Sequence, residues 1–307
     1  MSAAVDAIRR ALDSDVAYSF RRSPLTVAMA AVALVLIAAA VLAPWVSPHN
    51  PLDLATVDLL DAELPPAWAD RGQAAFLLGT DNQGRDVLSS VVYGLRISLL
   101  VGVASVAFAM VLGTGFGLVS GYVGGWVDAA IMRVADVQLS FPAILIALLI
   151  DGVTRSVLPR GRHEELAVLV LVLAIGLATW VQFARTVRAA TAVESSKEYV
   201  QAARIIGIHP LLVMLRHVLP NVMGPVLVIA TINLALAILA EATLSFLGVG
   251  LPPTAPSLGT LIRVGNEFLF SGLWWISIFP ALTLVLLVLS VNLLGDWLRD
   301  ALNPKLR

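Results

Sequence analysis

Two lysines, four histidines and no cysteine limit the reactions that this 307-residue chain could catalyse. A phosphate-binding loop needs Gly-Lys-Ser/Thr after a glycine turn. Neither Lys197 nor Lys305 follows a glycine, so no nucleotide is expected to be held in that way. A zinc-protease helix needs His-Glu-x-x-His, and Ala167 stands where the second histidine after His163-Glu164 would be. No Gly-x-Ser-x-Gly nucleophile elbow occurs. Without cysteine there is no thiol nucleophile and no thiolate metal ligand. The chain is therefore expected to be no enzyme, with no catalytic residue and no metal site.

What remains is the chemistry of contact. Ser195 followed by Glu198 fits a capping box and predicts a helix start. Gly207 fits the left-handed position that ends such a helix. Pro210 suits the first turn of a second helix, and Pro220-Asn221 its end. Gln201, Ala202 and Ala203 fall on the first helix, where the small alanines leave room for a partner surface. A plain amphipathic connector lying on a membrane fits the same pattern. Gly113, Gly117, Gly121 and Gly125 recur every four residues and predict a ridge for close helix packing. Asn233, Asn292 and Glu241 are polar groups within or at the end of apolar runs. Each must be hydrogen-bonded or face water, so each is a candidate for inter-helix bonding or for lining a path. Arg133 and Asp136 are three apart and are expected to pair.

The elements that must position these groups follow from composition. The chain is 59% hydrophobic and 13% charged, with a mean hydropathy of +0.89, against roughly 45–50% and 25% in soluble domains. A polytopic membrane protein follows. The uncharged run 24–46 is long enough for ~30 Å of hydrocarbon and too long for the core of a cleaved leader, so it is expected to be a retained span. Five more spans are expected at 97–119, from near Ala129 to Ile150, at 166–184, at 222–240 and within 272–295. Placing the N-terminus inside assigns 13 of the 20 basic residues to inner segments and 7 to outer ones. Both termini, 1–23 and 296–307, are then cytoplasmic and the acidic stretch 47–94 lies outside. The segment 241–262 holds Pro252, Pro253 and Pro256 and cannot be one helix; it is expected to form an outer-face element, and a mere connector fits the same pattern. Acids and bases are scarce inside the spans, against an ion-coupled transporter, although a stand-alone secondary transporter or channel stays open. A net charge of −1 offers no basic field for nucleic acid.

The order Gln201-Ala202-Ala203, Gly207, Leu219-Pro220 resembles the EAA signature of permease subunits of binding-protein-dependent ABC importers. The family pattern begins with Glu where this chain has Gln201. The stretches 78–102, 121–142, 241–262 and 274–307 look like the C-type permease subunit of dipeptide/oligopeptide importers. The resemblance implies an all-α integral membrane protein with the type I ABC importer permease fold. Its six helices would be a five-helix core at 95–295 plus the N-terminal helix at 24–46, with a coupling loop at 185–221. It implies a bacterial cytoplasmic membrane location, a homologous second permease subunit, two ABC ATPase domains, an extracytoplasmic solute-binding protein and a peptide substrate, all amid membrane lipid. ATP and Mg would be bound by the ATPase partners, with no cofactor in this chain. Nickel and glutathione importers share this subunit type, so the resemblance leaves the cargo open among these.

Overall fold

The computed structural model describes residues 15–53, 57–252 and 255–301. Among them the chain is a helical bundle without a strand ladder. Helix α1 (Asp15–Arg22) leads into α2 (Pro24–Val41), which is opened by Ser23 as N-cap and Pro24 at its first turn. Next come α3 (Val87–Val123), α4 (Gly125–Leu139), α5 (Ala143–Val157), α6 (Arg160–Ser195) and the short α7 (Glu198–Ile205). Helices α8 (Leu219–Phe246), α9 (Leu258–Phe268) and α10 (Trp275–Ala301) complete the described chain. Among the described residues five helices are long and apolar enough to cross a membrane, and the bent pair α4–α5 would make six.

Several boundaries differ from expectation for physical reasons. Helix α3 starts at Val87, ten residues before the apolar run, because Asp86 caps it: its Oδ2 accepts from the Ser89 amide at 2.9 Å. At 37 residues it is ~55 Å long, well beyond the hydrocarbon core. The expected third span is not one helix. Its two limbs, α4 and α5, meet at 92° around Ser140, Phe141 and Pro142. Proline lacks the N–H that a continuing helix needs and pushes the preceding residue out of helical geometry. The expected Arg133–Asp136 pair is replaced by a longer-range one: Asp136 binds Arg185 of α6 at 2.5 Å, and Asp128 binds Arg188. Gln138, just before the bend, donates to the Leu177 carbonyl (2.6 Å) and accepts from Trp180 (2.7 Å), so α4 is laced along α6.

The glycines explain the closest seam. A Cβ on Gly113 would lie 2.4 Å from the Trp180 carbonyl oxygen; on Gly117, 2.6 Å from that of Ala184; on Gly121, 2.6 Å from that of Arg188. The paired numbers rise together, so α3 and α6 run parallel with their backbones in contact. Gly125 does not continue the ridge. With Gly124 it forms the turn into α4, at φ 56° and 67°, angles that glycine adopts without a steric penalty.

The acidic stretch before α3 is folded onto the bundle. Asp81 accepts from the amides of Gln83 and Arg85 and pairs with the Arg85 guanidinium at 2.7 Å, both side chains buried. Trp275 at the head of α10 donates to the Thr80 carbonyl (3.0 Å), and Trp68 stacks edge-on against Phe279. This end of the molecule is called the acidic-loop end below; the opposite end, rich in arginine, is the basic end.

Candidate coupling site at the basic end

Helix α6 continues eleven residues past Ala184 to Ser195 and then hands over to α7 through Ser196 and Lys197. The capping box therefore does not form. Ser195 is the last residue of α6 with its hydroxyl unpartnered, and Lys197 occupies the cap position. Gln201 serves the preceding helix instead: its Nε2 donates to the Ser195 carbonyl at 2.9 Å, one of the acceptors that the end of α6 leaves open. Glu198 in the first turn of α7 favours the helix electrostatically.

Helix α7 has two faces. Val200 and Ala203 are buried against the bundle, while Gln201, Ala202, Arg204, Ile205 and Ile206 are exposed. Of the two alanines, only Ala202 is open to a partner; Ala203 packs inward. Ile205 and Ile206 are 86% and 78% exposed, an apolar tip next to the turn. Gly207 makes that turn at φ 84°, the left-handed angle expected of it. His209 caps a helical turn from Pro210 to Val213. That turn does not end at Pro220-Asn221. It passes through one wide π turn, Met214–Val218, straight into α8, and the wider turn makes room for a proline inside a continuing helix. Leu219 and Pro220 thus mark a joint in one apolar helix that runs from Pro210 to Phe246.

Residues that the sequence pattern did not single out knit this element to three spans. Tyr199 donates from its hydroxyl to Glu194 of α6 and accepts from Asn221 of α8 at 3.0 Å. Lys197 pairs with the same Glu194 at 2.7 Å. Burial and the Glu194 carboxylate push the Tyr199 phenol up to about 12, so it remains a donor throughout the physiological range. Arg204 lies over the Tyr122 ring of α3, 4.3 Å from its centroid, and its Nε donates to the Tyr122 hydroxyl at 3.2 Å. A cleft between the end of α3 and this turn is lined by Tyr122, Arg204, Gly207, His209, Pro210 and Met214. The partners are 3 to 82 positions apart, and beyond the Lys197–Glu194 pair no local spacing signals them.

The other candidates lie elsewhere. Asn233 is buried in α8 and donates to the Ile229 carbonyl of its own helix at 3.0 Å. Asn292 is half-buried on α10. Glu241 is fully buried near the acidic-loop end.

A Cβ at Gly207 would meet nothing within 4 Å, so a substitution there is penalised by backbone geometry alone, about 1–2 kcal/mol. Gly207→Val is expected to leave the purified chain's melting temperature within a few degrees of wild type, while loosening the turn that sets the angle between α7 and Pro210. Hydrogen exchange at the Ile206 and Ile208 amides should accelerate; unchanged exchange would show that the left-handed turn is not under strain in the variant.

Together these features define an all-helical, multi-pass membrane subunit with the type I importer permease fold, presenting a short helix-turn element at one end. Solved structures of the MetNI methionine ABC transporter in inward-facing conformations share that fold. Two of them align at TM-scores of 0.54 and 0.53, with 18% and 22% identity, over 70% of this chain and 96–97% of theirs. The chain belongs to the family of binding-protein-dependent transport system inner membrane components, whose model matches residues 113–307. Residues 14–66 match the N-terminal TM domain of oligopeptide transport permease C. The di/tripeptide transport system permease protein DppC of Pseudomonas aeruginosa is 39% identical over 89% of this chain and 86% of its own length. The Escherichia coli K12 dipeptide transport system permease protein DppC is 38% identical over 94% and 91%. The chain is thus an ABC importer permease.

Proposed function

We propose that this chain is one of two homologous transmembrane subunits of an ATP-driven importer of di- and oligopeptides, and that it performs no catalysis itself. Two ABC ATPase domains, which would bind ATP and Mg, dock on the basic end. A solute-binding protein delivers substrate at the acidic-loop end. Both termini and the 196–209 element then lie in the cytoplasm, as the distribution of lysine and arginine favours. The observation that carries this reading is the exposed tip of α7. Apolar Ile205 and Ile206 stand in the open on a helix tied by side chains to α3, α6 and α8. An element so connected passes a push on its outer face into three spans. Converting a 1:99 mixture of two transport states into 99:1 takes about 5.5 kcal/mol. In this reading that energy enters through the contact, with the cytoplasmic stretch 185–221 as the coupling loop.

The peptide assignment rests on what the relatives are called. Its test is uptake by the complex reconstituted with its own binding protein, offered labelled dipeptides, longer peptides, nickel and glutathione in turn. Peptides should accumulate when ATP is supplied. Accumulation of nickel or glutathione alone would replace the substrate, and ATP-independent flux by the isolated chain would point to a stand-alone transporter or channel.

A further inference from the structure

At the end of the bundle opposite α7, Glu241 is fully buried, and among the described residues no basic side chain pairs with it. Its carboxyl is held by hydroxyls. Ser98 of α3 donates to Oε2 at 2.7 Å, and Ser245, one turn on in α8, donates to Oε1 at 2.7 Å. Ser98 also accepts the amide of Leu258, the first residue of α9, at 3.2 Å. One carboxyl thus joins α3, α8 and the start of α9. The backbones are seated there as well. A Cβ on Gly259 would lie 2.3 Å from the Ala242 carbonyl oxygen, and one on Gly94 would lie 3.2 Å from the backbone of Ser257. The Leu258 amide is one of the N–H groups that a helix start leaves open, and the Ser98 hydroxyl that accepts it is the one that binds Glu241.

Glu241 sits on the same continuous helix, Pro210–Phe246, that begins at the coupling turn. We propose that Glu241 is a positioning residue that clamps α9 to the far end of this helix, so that α9 follows that end when movement entering at α7 reaches it. This rests on the ATP-driven reading above. The proline-bearing link before α9 cannot transmit such movement by itself: residues 247–252 and 255–257 lack helical structure. The side-chain clamp is the stiff connection.

The test uses the complex reconstituted after this chain, which has no native cysteine, has been labelled on its own at one introduced cysteine. Spin labels are placed at Asn266→Cys, exposed on α9, and at Val193→Cys, exposed near the end of α6. In the otherwise wild-type complex both labels should change spectrum when ATP binds. In Glu241→Leu the Val193 label should still respond, the Asn266 response should be lost, and uptake should fall about tenfold, at the upper range of coupling changes for residues that touch no ligand. Glu241→Gln keeps the volume and a carbonyl acceptor for one of the two serine hydroxyls, and should restore at least about half of the wild-type response. If Glu241→Leu does not assemble, Ser98→Ala removes one donor and the Leu258 contact, and should show the same separation of the two labels in weaker form. A wild-type Asn266 response in Glu241→Leu or Ser98→Ala would overturn the clamp while leaving the importer reading intact. No response of either label in the wild-type complex would overturn both.

Discussion

Gly117→Leu is expected to prevent the chain from folding into a monodisperse membrane protein, whereas Gly115→Leu, two residues away, should be tolerated. A side chain at 117 begins 2.6 Å from the Ala184 carbonyl oxygen and 2.7 Å from the Val187 Cβ. A backbone carbonyl in a helix cannot rotate aside, so α3 and α6 would have to separate. Overpacking by a methylene or two costs typically about 1–3 kcal/mol, and Leu adds far more volume than that, at a seam where every neighbouring contact depends on the same approach. Gly115 faces open space, with nothing within 4 Å of a Cβ. The measurement is size-exclusion behaviour and thermal stability of the detergent-solubilised chain. Equal stability of the two variants would mean that the ridge does not hold the helices together.

The second large effect separates two neighbouring alanines. Ala203→Trp should destabilise the chain itself, because Ala203 is 5% exposed and packs into the bundle beneath α7. Ala202→Trp should leave the chain's own stability within about 0.5 kcal/mol, as expected of an exposed site, yet abolish co-purification of the ATPase subunits by placing a bulky ring on the outward face. From the sequence, both alanines are expected to face a partner; the burial of Ala203 assigns them different roles. Thermal unfolding of the isolated chain, set beside pull-down of the ATPase subunits, distinguishes the two. Normal docking by Ala202→Trp would mean that the partner binds another surface.

How far the sequence reaches can be seen from these elements. The runs of uncharged residues locate the spans, because hydrocarbon demands them whatever the tertiary arrangement. Gly207 is legible because only one residue type sits easily at φ 84°. The bend at Pro142 is not legible as an angle: an apolar run broken by one proline can kink slightly or fold by 92°, and packing against α6 decides which. The capping box fails because Ser195 is already committed to α6, which extends well past its apolar segment. The inward face of α7 is half legible. Val200 and Ala203 have the spacing of a buried stripe, but hydrophobicity alone would bury Ile205 and Ile206 as well. Tyr199–Asn221, Arg204–Tyr122 and Glu241–Ser98 join positions 22, 82 and 143 residues apart, and only the folded bundle brings them together.

The most direct test of ATP-driven coupling through α7 is peptide uptake into proteoliposomes that enclose ATP and carry both permease subunits, the ATPase subunits and the binding protein. It compares wild type with the double variant Ile205→Asp/Ile206→Asp. Both positions are exposed, so the variant chain should fold. Wild type should accumulate labelled dipeptide only when ATP is enclosed. The variant should lose at least about 90% of that uptake, since truncating a hot-spot contact costs about 2 kcal/mol or more and here two exposed apolar side chains become charged. Undiminished uptake by the variant, or uptake by wild type without ATP, would contradict a chain that takes its driving energy through this tip.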